Sequence, residues 1–273
     1  MFGVLTVAVQ DALPAGQRAA LRLRPAKGLS CTEDLFRTAM FCHVRVTLCA
    51  GWSEKLQQKR VREALLQLRA KGCRQVVLPR EWREAAKAAE LVPVAVRTAL
   101  EACGAQAVLE ACRGRNIPAG ETCLAVYGTH ISPLASMQLL TLAKTLRTLR
   151  IYGEGNEQLR NQLWRGCGIV DHGPMPEGAP VLALLLQGGK LQGQPLLTVD
   201  LSDGTGEGEG QLWTPQLLLP QGARTKLPEG ASEAVFGAAL LQTGALQSRE
   251  IHVSRLDIPA PTQYNKEIVE NCF

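Results

Sequence analysis

The residue pattern predicts an α/β protein built on a mostly parallel sheet, with the C-terminal part adding antiparallel strands. Three observations carry this. Apolar runs of strand length alternate with amphipathic stretches of helical length through the middle of the chain. The loops between them are short, which favours parallel strands joined by right-handed crossovers. Gly, Ser, Asn and Pro punctuate those loops where turns and helix caps need them.

Val4 to Val9 reads as a first strand, and residues 10–30 as irregular or briefly helical. From Phe41 to Leu48 apolar and polar residues alternate. Cys42, Val44, Val46 and Leu48 fall on one face and His43, Arg45 and Thr47 on the other, the pattern of a half-exposed strand. Ser53 offers a helix cap, Leu56, Val61, Ala64, Leu65 and Leu68 form an apolar stripe, and Gly72 closes the helix. Arg74 to Pro79 follows as a short buried strand. The alanine-rich residues 80–115 read as two or three short helices connecting the halves of the sheet.

Thr122 to Tyr127 is an apolar strand ending at Gly128, and Ser132-Pro133 opens a helix running to about Leu146. Thr148 to Tyr152 is the next strand. Asn156 caps a second helix that carries Leu159, Leu163 and Trp164, and Ile169-Val170 and Val181 to Leu186 read as further strands. These are Rossmann-like β-α-β units. Beyond them, Leu196 to Asp200 and Leu212 to Leu219 read as strands around a polar loop, Ser232 caps a helix to about Gln242, and Ile251 to Ile258 is a last strand. The expected organisation is an N-terminal region 1–116, a Rossmann-like core 117–189 and a C-terminal extension 190–273, as one domain or two.

Composition narrows the function classes. Aromatic residues are 4% of the chain, too few for the stacking platforms of single-strand nucleic-acid binders. Residues 1–100 hold 17 Lys+Arg against 8 Asp+Glu and the remainder 13 against 17, so the first third is basic. That charge faces an anionic partner, the acidic remainder of the chain, or solvent. Lys55, Lys59, Arg60, Arg62, Arg69 and Lys71 read as the wet face of one helix. The nine cysteines include no C-x-x-C pair and no His pair at zinc-ligand spacing, so buried free thiols in a reducing cytoplasm are expected. Met1 to Val9 lacks the pattern of a signal peptide, and no apolar stretch reaches membrane-span length.

In open α/β sheets ligands sit outside the carboxyl ends of the strands. Four loops are expected along that edge: Pro79-Arg80-Glu81, Gly128-Thr129-His130-Ile131-Ser132, Gly153-Glu154-Gly155-Asn156 and Asp171-His172-Gly173. His130 and His172 are the acid–base candidates. Gly128, Thr129, Ser132, Glu154, Asn156 and Asp171 are the ligand-binding candidates, with the amides after Gly128 as an anion cradle. Glu154 follows the second strand of the unit, 26 residues beyond Gly128, where a dinucleotide-binding domain keeps an acid for ribose hydroxyls. Each has a plainer role as well: Ser132 and Asn156 as caps, the glycines as turn residues, the histidines and Glu154 as surface groups.

The Gly-x-Gly-x-x-Gly fingerprint is missing, since the loop holds one glycine, and so are a P-loop, a His-Glu-x-x-His site and a Gly-x-Ser-x-Gly elbow. The acidic, glycine-rich segment Asp200 to Gly210 does not follow EF-hand spacing and reads as a solvated loop. No cofactor is named by any pattern. Two functions follow: a protein binding a nucleotide or another small anionic ligand in a Rossmann-like crevice, or a non-catalytic interaction protein using that core as a scaffold for a protein partner.

Overall fold

The computed structural model describes residues 1–10, 29–129, 131–168, 178–203, 207 and 212–257. The strands are β1 (Phe2–Gln10), β2 (Leu29–Phe36), β3 (Ala39–Cys49), β4 (Gln75–Val77), β5 (Val92–Pro93), β6 (Cys123–Tyr127), β7 (Thr148–Tyr152), β8 (Val181–Leu185), β9 (Leu197–Asp200), β10 (Leu212–Leu218) and β11 (His252–Asp257). The helices are α1 (Glu54–Ala70), α2 (Arg83–Ala88), α3 (Arg97–Ala102), α4 (Gly104–Gly114), α5 (Pro133–Ala143), α6 (Glu157–Cys167), α7 (Gln221–Arg224) and α8 (Glu233–Gln242). Among the described residues no helix is long and apolar enough to cross a membrane.

The fold is the expected mixed α/β with mostly parallel strands, and these form two sheets. Each belongs to its own compact unit. The first unit is Met1–Ala99 with Leu219–Ile251, and the second is Leu100–Leu218 with β11.

In the first unit the strand order is β2-β3-β1-β4-β5, with only the β2–β3 pair antiparallel. Helix α1 covers one face with the stripe its spacing dictates: Val61, Ala64, Leu65 and Leu68 are all fully buried. It sits so close that a Cβ on Gly3 would lie 2.9 Å from Leu68 Cδ1. Gly72, at φ +84°, makes the left-handed turn that ends the helix. Arg60 departs from the wet face assigned to it. It is buried, pairs with Glu63 at 3.0 Å and lies over the Trp52 ring.

The opposite face was expected to be half exposed, and α8 covers part of it. Phe236 of α8 meets Phe2 and Phe41 with ring centroids 5.8 and 5.3 Å away, closing a three-ring cluster. His43, on the same face, is half buried, with its Nε2 2.8 Å from Thr6 Oγ1, and burial followed by the Arg45 charge lowers its pKa. Strands β2 and β5 were not foreseen. The first is a polar edge strand and the second spans two residues inside an alanine-rich stretch.

In the second unit the order is β11-β10-β9-β8-β6-β7. All pairs are parallel except β10–β11, which supplies the expected antiparallel extension. Strands β9 and β10 pair in parallel, so they are not two arms around the polar loop. Helices α4, α5 and α6 pack one against the next, α4 also against β9 and β11. Of the three apolar residues carried by α6, Trp164 is exposed while Leu159 and Leu163 fill the core. The two units share one plan. In each, the first strand is flanked by the next parallel strand on one side and the third on the other, with the fourth beyond it.

Candidate functional site

Strand β6 is buried along its whole length and forms the axis of the second unit. The chain leaves it for β7 on one side and then returns to β8 on the other. The carboxyl ends of β6 and β8 are thus a topological switch point, where an open sheet splits its loops and leaves a crevice. Three loops meet there: Gly128-Thr129 after β6, Gly153-Glu154 after β7, and Gln187 to Lys190 after β8.

Glycine is what lets them meet. A Cβ on Gly153 would lie 2.1 Å from Gly128 O, one on Gly188 2.4 Å from Thr129 Oγ1, and one on Gly189 2.4 Å from Tyr127 O. Gly153 and Gly188 also hold φ of +124° and +65°. The interlocked loops use their own polar groups on one another. Gly128 N–H donates to Tyr152 O at 3.1 Å, and Thr129 N–H to Gln187 O at 3.1 Å. The Thr129 amide, the first of those after Gly128 expected to cradle an anion, is therefore engaged within the fold.

Between the loops lies a cleft of about 230 Å³ lined by Tyr127, Gly128, Thr129, Tyr152, Gly153, Glu154, Gly188, Gly189, Lys190 and Gln192. Tyr127 and Tyr152, opposite each other in the register of β6 and β7, stack with centroids 5.0 Å apart. The Tyr127 hydroxyl donates to Gln192 O at 2.9 Å, and burial, then the neighbouring Tyr152, raises its pKa. Lys190 forms an ion pair with Glu207 at 2.9 Å, which raises the lysine pKa. Both partners are largely exposed, so water and salt screen the pair and a competing anion can displace Glu207 at small cost.

Of the residues predicted from sequence, Gly128, Thr129 and Glu154 line this cleft. Ser132 does not: its Oγ accepts from Ala135 N–H at 3.1 Å as the cap of α5 and donates to the buried Glu101 carboxylate at 2.5 Å. Asn156 stands at the start of α6 but makes no side-chain cap bond. Its Nδ2 instead donates to Gly128 O at 3.0 Å, tying the β7 loop to the β6 loop, and the residue faces a separate groove beside α5 and α6. His130, Asp171 and His172 lie outside the described residues. The Pro79-Arg80-Glu81 loop follows β4 and so belongs to the other sheet.

Sequence reasoning missed the Gly188-Gly189-Lys190 loop and the two tyrosines. The signal was like the one used for Gly128, glycine closely following an apolar strand, here Gly188-Gly189 separated by Gln187 from Val181 to Leu186. In the acidic segment, Asp200 Oδ1 accepts from Ser202 N–H and Oγ at 2.8 and 2.6 Å in a local turn, and Glu207 is the partner of Lys190. Among the described residues no group of three His, Cys, Asp or Glu side chains could hold a metal ion. No known protein family and no curated protein matches the sequence.

The cleft offers one carboxylate, one ammonium group, two phenol rings and close-packed backbone. The described residues lining it present a tyrosine face to a planar group, a carboxylate to hydroxyls and a lysine to an anion.

Proposed function

We propose that this protein binds a nucleoside or mononucleotide in the cleft at the carboxyl ends of β6 and β8. The observation that carries the reading is the place of Glu154. It follows the second strand of the unit and lines the same cleft as the Tyr127–Tyr152 stack and Lys190. Ribose hydroxyls donate to the Glu154 carboxylate, the base lies against the tyrosine side, and a phosphate replaces Glu207 on Lys190. His130, which follows Thr129 in the chain, and His172 keep the acid–base role expected of them, with Asp171 as a further polar group. The volume argues for one nucleoside-sized group and against a dinucleotide, since pockets for drug-sized ligands measure roughly 300–1,000 Å³ and this cleft about 230 Å³.

The scaffold reading has an observation of its own: the Gly128 and Thr129 amides are spent on Tyr152 and Gln187. Docking of an acidic partner on the basic first third has less support. Arg37 and Arg45 are paired with Glu250 and Glu229 of the same unit, and Lys71 with Glu33. The eight cysteines among the described residues are free thiols, which supports a reducing, cytoplasmic setting.

Isothermal titration with adenosine, guanosine, their monophosphates and NAD tests the proposal. A nucleoside should bind, its monophosphate more tightly, and NAD no more tightly than the monophosphate. Glu154→Ala should weaken the nucleoside, and Lys190→Ala should remove only the monophosphate's advantage. No binding across the panel, or binding indifferent to both substitutions, would leave the scaffold reading standing.

A further inference from the structure

A second cluster of reactive groups lies in the other unit, on the face of the sheet beneath α1. Strands β2 and β3 pair antiparallel with Cys31 opposite Val44 and Glu33 opposite Cys42. Cys31 and Cys42 are therefore diagonal neighbours pointing to the same face, and their sulfurs are 3.3 Å apart. The two thiols differ in access. Cys42 is fully buried in the apolar cluster under α1, whereas Cys31 packs on its rim and is partly exposed. The ionisable groups electrostatically coupled to the pair are Cys73, Glu33 and Lys71, whose Nζ meets Glu33 at 2.8 Å.

We propose that Cys31 and Cys42 are a reversible dithiol–disulfide site, in which Cys31 meets a small disulfide from solvent and Cys42 resolves the adduct. The Cys31 thiolate attacks one sulfur of the small disulfide; that S–S bond breaks and one thiolate leaves. Cys42 then gives its proton to water, its sulfur attacks Cys31, and the second thiolate leaves. The two protein thiols lose two electrons and the small disulfide gains them as two free thiols.

The geometry supports each stage. An oxidant can reach Cys31 but not Cys42, so the order of attack is set by burial. The resolving sulfur needs to close only from 3.3 Å to a bond of about 2.0 Å. A diagonal pair across a ladder has a wider Cα spacing than a relaxed disulfide prefers, so the bond forms under strain and is readily reduced again. Resolution is the slow stage. Burial, which persists once Cys31 carries the adduct, holds the Cys42 thiol above the usual thiol range. Its thiolate fraction, and with it the rate of resolution, therefore rises about tenfold per pH unit through the neutral range.

Tryptic mapping of the wild-type protein tests this directly, because cleavage after Lys27, Arg37 and Arg45 puts the two cysteines on separate peptides, 28–37 and 38–45. The folded protein is incubated with oxidised glutathione at pH 7, 8 and 9, alkylated, digested and analysed by mass spectrometry. The two peptides should appear joined, faster at higher pH, and separate on treatment with dithiothreitol. Cys42→Ala should trap glutathione on Cys31, and Cys31→Ser should prevent both adduct and crosslink. Glutathione remaining on wild-type Cys31 at pH 9 without a crosslink overturns the proposal. So does a crosslink from Cys31 to Cys73, or the absence of any modification of Cys31.

Discussion

Replacing Asn156 by aspartate separates two roles that its position at the head of α6 confounds. As a helix cap, Asn and Asp are about equivalent, and a negative charge at a helix N-terminus adds roughly 0.3–1 kcal/mol in favour of folding. A cap would therefore make Asn156→Asp neutral or slightly stabilising. The structure gives the side chain a different task, donation from Nδ2 to Gly128 O at 3.0 Å in a buried setting. An ionised carboxylate cannot donate and would face the carbonyl oxygen with like polarity. Losing a buried hydrogen-bond partner costs about 1–3 kcal/mol, and the buried charge adds to it. Asn156→Asp should thus destabilise the second unit at pH 7 by at least as much as Asn156→Ala. The loss should shrink in acid, because a protonated carboxyl can donate to Gly128 O again. Urea unfolding followed by tryptophan fluorescence, with Trp164 and Trp213 reporting on this unit, measures both variants. An Asn156→Asp protein as stable as wild type at pH 7 would refute the clamp and restore the cap.

Two further outcomes test the first unit. Phe236→Ala empties the centre of the three-ring cluster, where the ring is fully buried, and should cost about 3–5 kcal/mol in urea unfolding; a loss under about 1 kcal/mol would mean that α8 does not hold the sheet. The Glu250 carboxyl is held at about 2 by the Arg37 guanidinium, then by the Gln247 N–H, against 4.5 for a free side chain. A carboxyl lowered on folding stabilises above its unfolded pKa, so this contribution is full above about pH 4.5 and fades as pH falls toward 2. Arg37→Ala should flatten the acid limb of the stability curve in that window. The effect is modest because Arg37 is half exposed; an unchanged limb would show that the pair contributes nothing.

What was legible in the sequence followed periodicity. The α1 stripe, the β6–α5–β7–α6 run and the Ser132 and Ser232 caps are read from residues within a few positions of one another, and local spacing is what sequence shows best. What was not legible depends on distant partners. The exposed face of β3 looked polar because nothing near it in sequence supplies a cover, and its cover, Phe236, comes from nearly two hundred residues later. Asn156 fits a cap signature so well that local chemistry gives no reason to seek Gly128, 28 residues away. The cleft was half visible. Strand order cannot be read from alternation alone, so the β8 loop could not be placed next to the β6 loop, and Gly188 and Lys190 stayed hidden.

The interleaving of the two units bears on how the molecule is made. The chain passes from the first unit to the second after Ala99, returns after Leu218 and leaves again after Ile251. A ribosome therefore emits β1, β3 and α1 long before Phe236, and Phe2 and Phe41 emerge without the ring that completes their cluster. The five strands of the first sheet are all made before the second unit begins, but the helix α8 that covers them is made only after the central strands of the second, and β11 of the second follows both. Neither unit corresponds to one continuous stretch of the gene, so nascent chains pass through a long interval with apolar faces open, the period in which a chaperone would be needed most.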